Sequence, residues 1–263
     1  MKFKMKNVFS TYLTQLNPIV GNISYNLSLV RESWEKAKKL NSDILITSEL
    51  ISSGYPPDDL LLRPSFTEKI ELEVKKFIES IGSQGPAIIL GTPWVVQGKL
   101  YNASLIIDEG KIIGVSLKSN LPNYGVFDEE RFFNSAESHS LINIRGVKCG
   151  VLICEDMWTP DVCISLAKSG AQILIILNAS PFDIEKLNER EKIASQRVRE
   201  TNLPLIYVNQ VGGQDELVFD GSSFVLNNKA EKVVSFSGWQ NHSQLVSWVK
   251  ETTGELLHVS DYQ

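Results

Sequence analysis

Apolar positions along this chain follow two periods, and the switches between them mark out its elements. Residues 8–16 alternate and are followed by Pro18 and Gly21, which predicts a strand and a turn. Across residues 22–40, Leu27, Val30, Trp34 and Ala37 recur at helical spacing behind Asn22 or Ser24 as a cap, which predicts an amphipathic helix. Residues 43–47 (DILIT) form a short apolar run that predicts a buried strand. Residues 54–64 are rich in proline and aspartate and read as a loop. Thr67 is the expected cap of a second helix, with Ile70, Val74, Phe77 and Ile81 on one face. Residues 87–90 predict another buried strand, and residues 94–117 change to period two around Asp108-Glu109-Gly110-Lys111, a hairpin turn.

The second half repeats the theme. Strands are predicted over residues 147–153, 173–177 and 205–208, and a helix from Thr159-Pro160 to about Gly170. A charged amphipathic helix is predicted over residues 184–201, and a last hairpin over 223–226 and 232–236. The tail, from about residue 250 to 263, reads as an extension of uncertain order. Alternating strands and helices with interleaved hairpins predict an α/β fold, two sheets between helix layers in an α-β-β-α stack. Periodicity alone fits a doubly wound single sheet as well. No linker or repeat divides the chain, so residues 1–263 are expected to form one domain.

Composition narrows the function classes. A net charge of -5 leaves no basic surplus to attract nucleic acid or an anionic membrane. No apolar run reaches the roughly 18 residues of a membrane span, and the lysine-bearing start lacks the apolar stretch of a signal peptide. The three cysteines, Cys149, Cys154 and Cys163, are an odd, sparse set that fits free thiols in a reducing compartment, so a cytoplasmic location is expected. His139, His242 and His258 are scattered without ligand spacing, and no metal site is expected.

Three segments end predicted strands with residues capable of chemistry. Glu49 follows the strand DILIT, where α/β folds keep their sites. Lys118 ends an apolar strand before a loop holding Pro122, Asn123, Tyr124 and Gly125. Cys154 stands at the tip of GVLIC, followed by Glu155-Asp156 and a capped helix, the logic of a nucleophile elbow without its G-x-S-x-G. Cys149 and Cys163 read as packing cysteines.

Together, these segments resemble the nitrilase superfamily, whose glutamate, lysine and cysteine occur in this chain order. The stretches ELISSGYPPDDLLLRPSF, LKSNLPNYGVFDEERFF, GVLICEDMW, NASPF and GGQDELVFDGSSF are similar to the glutaminase domains of glutamine-dependent NAD synthetases. They span Glu49 to Phe224, most of the chain. The resemblance implies a four-layer nitrilase-type sandwich and hydrolysis of the glutamine side-chain amide through a cysteine thioester. Glu49 would be the general base, Cys154 the nucleophile, and Lys118 with the backbone N–H of Glu155 the oxyanion donors. Glu129 would orient Lys118. Tyr55, Tyr124 and Phe127 would line the pocket, with Glu155, Ser180 and Lys186 reading the amino-acid head. Ser48 stands where the family often has proline. The family's ATP-binding loop has no counterpart here. ATP and deamido-NAD are therefore expected only on a synthetase domain or partner, with no cofactor in this chain. A homo-oligomer is expected. The alternatives are an amidase for another small ω-amide and an inactive partner-binding subunit.

Overall fold

The computed structural model describes residues 7–137, 139 and 141–258. The first half runs β1 (Val8–Gln15), α1 (Ile23–Lys39), β2 (Ile44–Ile46), α2 (Pro64–Ile81), β3 (Ala87–Val96), β4 (Lys99–Asp108) and β5 (Lys111–Leu117). The second runs β6 (Ile142–Ile144), β7 (Val147–Ile153), α3 (Pro160–Lys168), β8 (Ile173–Asn178), α4 (Lys186–Thr201) and β9 (Leu205–Asn209). There follow β10 (Val211–Gln214), β11 (Leu217–Asp220), β12 (Phe224–Leu226), β13 (Lys232–Ser235), β14 (His242–Lys250) and β15 (Leu256–His258).

Two large sheets form rather than one. The first has the order β15-β14-β1-β2-β3-β4-β5 and the second β13-β12-β9-β8-β7-β6, with β10-β11 a separate ribbon. In the first sheet β1, β2 and β3 are parallel; in the second β7, β8 and β9 are. Both faces of these central strands are covered, which explains their continuous apolar runs. In β2, Ile44 and Ile46 face the other sheet, while Leu45 faces the helices. In β8, Ile173, Ile175 and Leu177 face inward, and Leu174 and Ile176 outward. Val30 and Trp34 of α1 and Val74 and Phe77 of α2 cover the first sheet. Val162 and Leu166 of α3 and Ala194 and Val198 of α4 cover the second. The result is a four-layer α-β-β-α sandwich. Among the described residues, no helix is long and apolar enough to cross a membrane.

Several local expectations are corrected. The second helix begins at Pro64, not behind a Thr67 cap. Proline suits the first helical position because its missing N–H would be unpaired there anyway, and the Thr67 hydroxyl donates back to the Pro64 carbonyl at 3.0 Å. The strand at residues 87–90 continues to Val96 and turns back through Gln97-Gly98, where φ is 50° and 76°. Two positive-φ residues make this the tight turn that matches strand twist, so residues 87–117 form a three-stranded meander. The tail is not featureless: β15 pairs with β14, Trp248 opposite His258. Residues 259–263 lie outside the described residues.

Candidate active site

The strands carrying the singled-out residues end on one side of the sandwich. Glu49 lies just beyond β2, Lys118 directly after β5 and Cys154 directly after β7. The sheets meet here: the Glu49 N–H donates to the Asn178 carbonyl at the end of β8. Gly91 of β3 admits the Glu49 backbone, because a Cβ there would lie 2.3 Å from Ser48 O and 2.7 Å from Leu50 N. Cys154 sits at φ 46°. For a residue with a Cβ this left-handed conformation costs about 1–2 kcal/mol and persists only when its surroundings enforce it.

Glu49, Lys118 and Glu129 form one buried cluster. The Lys118 ammonium donates to Glu49 Oε1 at 2.8 Å and to the two Glu129 oxygens at 2.7 and 2.8 Å. Asn102 of β4 donates its amide to Glu49 Oε1 at 2.7 Å, and the Ala179 N–H donates to Glu49 Oε2 at 2.8 Å. With carboxylates as its neighbours, the Asn102 side chain must present its NH2 group to them. A carboxylate offers about four lone-pair directions. Three are filled on Glu49, and the open one is on Oε2. Tyr55, expected in the pocket lining, is buried and donates its hydroxyl to Glu129 Oε1 at 2.9 Å.

Two carboxyl groups share one ammonium here, and burial raises the Glu129 pKa against the pull of Lys118. Burial alone would lower the Lys118 pKa, but Glu129 and Glu49 overcome it and hold the ammonium well above its usual range. Burial, then the charge of Glu49, push the Cys154 thiol well above the ordinary thiol range against the pull of Lys118. A thiol raised in this way attacks only once a base has taken its proton. Cys154 is 5% exposed, whereas Cys149 and Cys163 are at 0%.

A cleft of about 600 Å³ opens beside the elbow, lined by Ser119, Asn123, Tyr124, Asn134 and Glu155 among others. The Tyr124 hydroxyl donates to the Glu155 oxygens at 3.1 and 3.2 Å, and its ring meets Phe127 edge-on, centroids 5.5 Å apart. Burial raises the Glu155 pKa, while Tyr124, Lys118 and Lys186 oppose the shift. The Lys186 ammonium rests 3.8 Å from the centre of the Trp158 ring and 3.4 Å from Glu189. Glu155 and Lys186 thus present opposite charges near the rim. Ser180 is buried, donating its N–H to Asn209 Oδ1 at 2.9 Å, and does not line this cleft.

Three further polar residues were not singled out in the sequence. Asn102 sits mid-strand, where asparagine is uncommon. Arg190 lies on the buried stripe of α4 with Ala194 and Val198. It donates to Ser180 Oγ, Ser180 O, Pro181 O and Asp220 Oδ1. Asp156 is fully buried behind Cys154, and burial raises its carboxyl pKa to about 6 against the backbone N–H of Asn120. A polar residue inside an apolar periodicity was the available signal for the first two. Asp156 stands in the sequence only as one of the two acids after the strand tip, and nothing there marks it as buried.

A thiol at a strained turn, a carboxylate with an open lone pair and a fixed ammonium suit attack on a carbonyl carbon. Known proteins resemble this chain along most of its length. Residues 13–249 match the family model described as Carbon-nitrogen hydrolase. A glutamine-dependent NAD(+) synthetase of Acinetobacter baylyi is 38% identical over 224 residues, covering 85% of this chain but 41% of that protein. The solved glutamine-dependent NAD+ synthetase of Acinetobacter baumannii superimposes with TM-score 0.88 at 34% identity, over 95% of this chain and 47% of that one. A Nesterenkonia amidase shares the fold at TM-score 0.82 and 20% identity, over 95% of this chain and 93% of that one. The chain thus spans less than half the length of the synthetases it matches.

Proposed function

We propose that this chain, which belongs to the carbon-nitrogen hydrolase family, hydrolyses the side-chain amide of glutamine to glutamate and ammonia. The carrying observation is the Glu49 carboxylate, held by Lys118, Asn102 and Ala179 with one lone pair open on Oε2. The thiol proton of Cys154 passes to that lone pair as sulfur bonds to the amide carbon. Lys118, turning one N–H from Glu129 toward the oxyanion that forms, stabilises it together with the N–H of Glu155, each such donor being worth roughly 10²- to 10³-fold in rate. Glu49 returns the proton to the departing nitrogen, the C–N bond breaks, and ammonia leaves a thioester. Glu49 then takes a proton from water as its oxygen attacks the thioester. Collapse releases glutamate, and the sulfur recovers its proton from Glu49. Apart from the substrate and the attacking water, the groups in this cycle are side chains and a backbone N–H of the chain itself.

Substrate choice rests on the rim. Glu155 meets the α-ammonium and Lys186 the α-carboxylate of glutamine, with Ser180 and the rings of Tyr124 and Phe127 completing the pocket. The ammonia feeds an NAD synthetase domain or subunit, on which ATP and deamido-NAD bind. This reading is supported by the names of the Acinetobacter relatives and by the share of their length that this chain matches. The protein acts in the cytoplasm as a homo-oligomer. Glutamate release from glutamine, by the purified chain with and without an added synthetase, tests the proposal against Cys154→Ala. Release that disappears with the thiol supports it. Equal rates for the two proteins overturn it, and turnover of other ω-amides but not glutamine changes the substrate.

A further inference from the structure

Asp156 lies two residues past the nucleophile, yet nothing in the cycle above uses it. Its carboxylate is at 0% exposure, and each oxygen is engaged. Oδ1 accepts the backbone N–H of Ser119 at 3.0 Å and of Asn120 at 2.9 Å, the two residues that follow Lys118. Oδ2 accepts the N–H of Ile153, the residue before Cys154, at 3.2 Å. One buried carboxylate therefore clamps the strand end that carries the ammonium to the strand end that carries the sulfur. β5 and β7 belong to different sheets, so no ladder hydrogen bond sets this spacing. The same clamp closes around the positive φ of Cys154, a conformation that relaxes unless it is held.

We propose that Asp156 is a positioning residue for the reaction, one that sets the Cys154 sulfur and the Lys118 ammonium against the same carbonyl. The inference rests on the amide-hydrolase reading for its consequence in turnover, but the geometry of the thiol can be read without any amide substrate. Asp156→Asn is the sharpest change. Its remaining oxygen still serves Ser119 and Asn120, whereas its NH2 group meets the Ile153 N–H donor to donor. The elbow is released while the lysine loop stays tied.

Two readouts separate positioning from bulk stability, both taken well below the melting temperature of the variant. The first is glutamine hydrolysis, where kcat is expected to fall about 10²-fold with KM within about threefold, because misalignment of reacting groups costs rate on that scale. The second is alkylation of Cys154 by iodoacetamide, followed by mass spectrometry. It is expected to slow at least about tenfold as the thiol loses its alignment with Glu49. A folded Asp156→Asn protein with both rates within threefold of the parent overturns the proposal. If the parent chain hydrolyses no amide, the functional reading fails, and the alkylation readout still decides the role of Asp156. Should the variant not fold, hydrogen exchange in the parent provides the test. Slow exchange of the Ser119, Asn120 and Ile153 amides supports the clamp, and fast exchange of the three overturns it.

Discussion

Two buried ion clusters sit within a few residues of each other in this fold, and they are built on opposite plans. Around Lys118, one ammonium faces two carboxylates, and Glu49 keeps a lone pair open. Around Arg190, one guanidinium faces one carboxylate, Asp220, and three more of its five donors go to Ser180 and Pro181. The second cluster is balanced in charge, and four of the five guanidinium N–H groups are engaged, which fixes the loop after β8. The first sets two carboxyl groups against one ammonium beside a thiol. Burial, then Glu49, push that thiol well above its usual range, and in the proposed cycle Glu49 accepts its proton. Both clusters are buried; what sets the first apart, and what the proposed cycle draws on, is its incomplete pairing.

The largest effect that sharpens this contrast is expected from Lys118→Met. Loss of an oxyanion donor typically costs roughly 10²- to 10³-fold, and two carboxylates left without their ammonium raise each other's proton affinity, which disables the base as well. Glutamine hydrolysis is expected to fall by at least about 10²-fold. Arg190→Met breaks the balanced pair and leaves Asp220 buried and alone, a loss of about 3–5 kcal/mol. That loss is expected in the melting temperature, with turnover at low temperature reduced far less than in Lys118→Met. Equal loss of turnover in the two variants would remove the distinction between the clusters. Asn102→Ala takes one donor from Glu49 without touching any charge. A fall in kcat/KM of about tenfold is expected, the scale of one hydrogen bond to a charged group, and no change at all would mean that the Glu49 geometry does not depend on Asn102.

The two clusters also differ in how far the sequence discloses them. Glu49, Lys118 and Glu129 stand within motif stretches whose resemblance to known glutaminase domains carries them. The pairing of Arg190 with Asp220 spans 30 residues and two elements, and no local pattern predicts it. What the periodicity does disclose is an arginine on the apolar stripe of α4. The same limit applies to the fold. Buried strands such as β2, β7 and β8 announce themselves as apolar runs, because helices and a second sheet cover them. β14 is missed because its exposed and buried positions mix, and its partner β1 lies more than 200 residues away, Val8 opposite Val249. The β10-β11 ribbon is missed because Gly212 and Gly213 supply no side chains to give a period. Thr67 misleads because its hydroxyl suits a cap, while Pro64 already starts the helix.

The central claim is that Cys154 is the one thiol of three aligned for attack on a glutamine-like carbonyl. A reactive diazoketone analogue of glutamine tests it directly, with intact-mass and peptide mass spectrometry as the readout. A single adduct on Cys154, absent from Cys154→Ala and slowed in Lys118→Met, is the predicted result. Labelling of Cys149 or Cys163 instead, or a parent chain that takes no label while the Cys154→Ala protein behaves identically, would contradict the account.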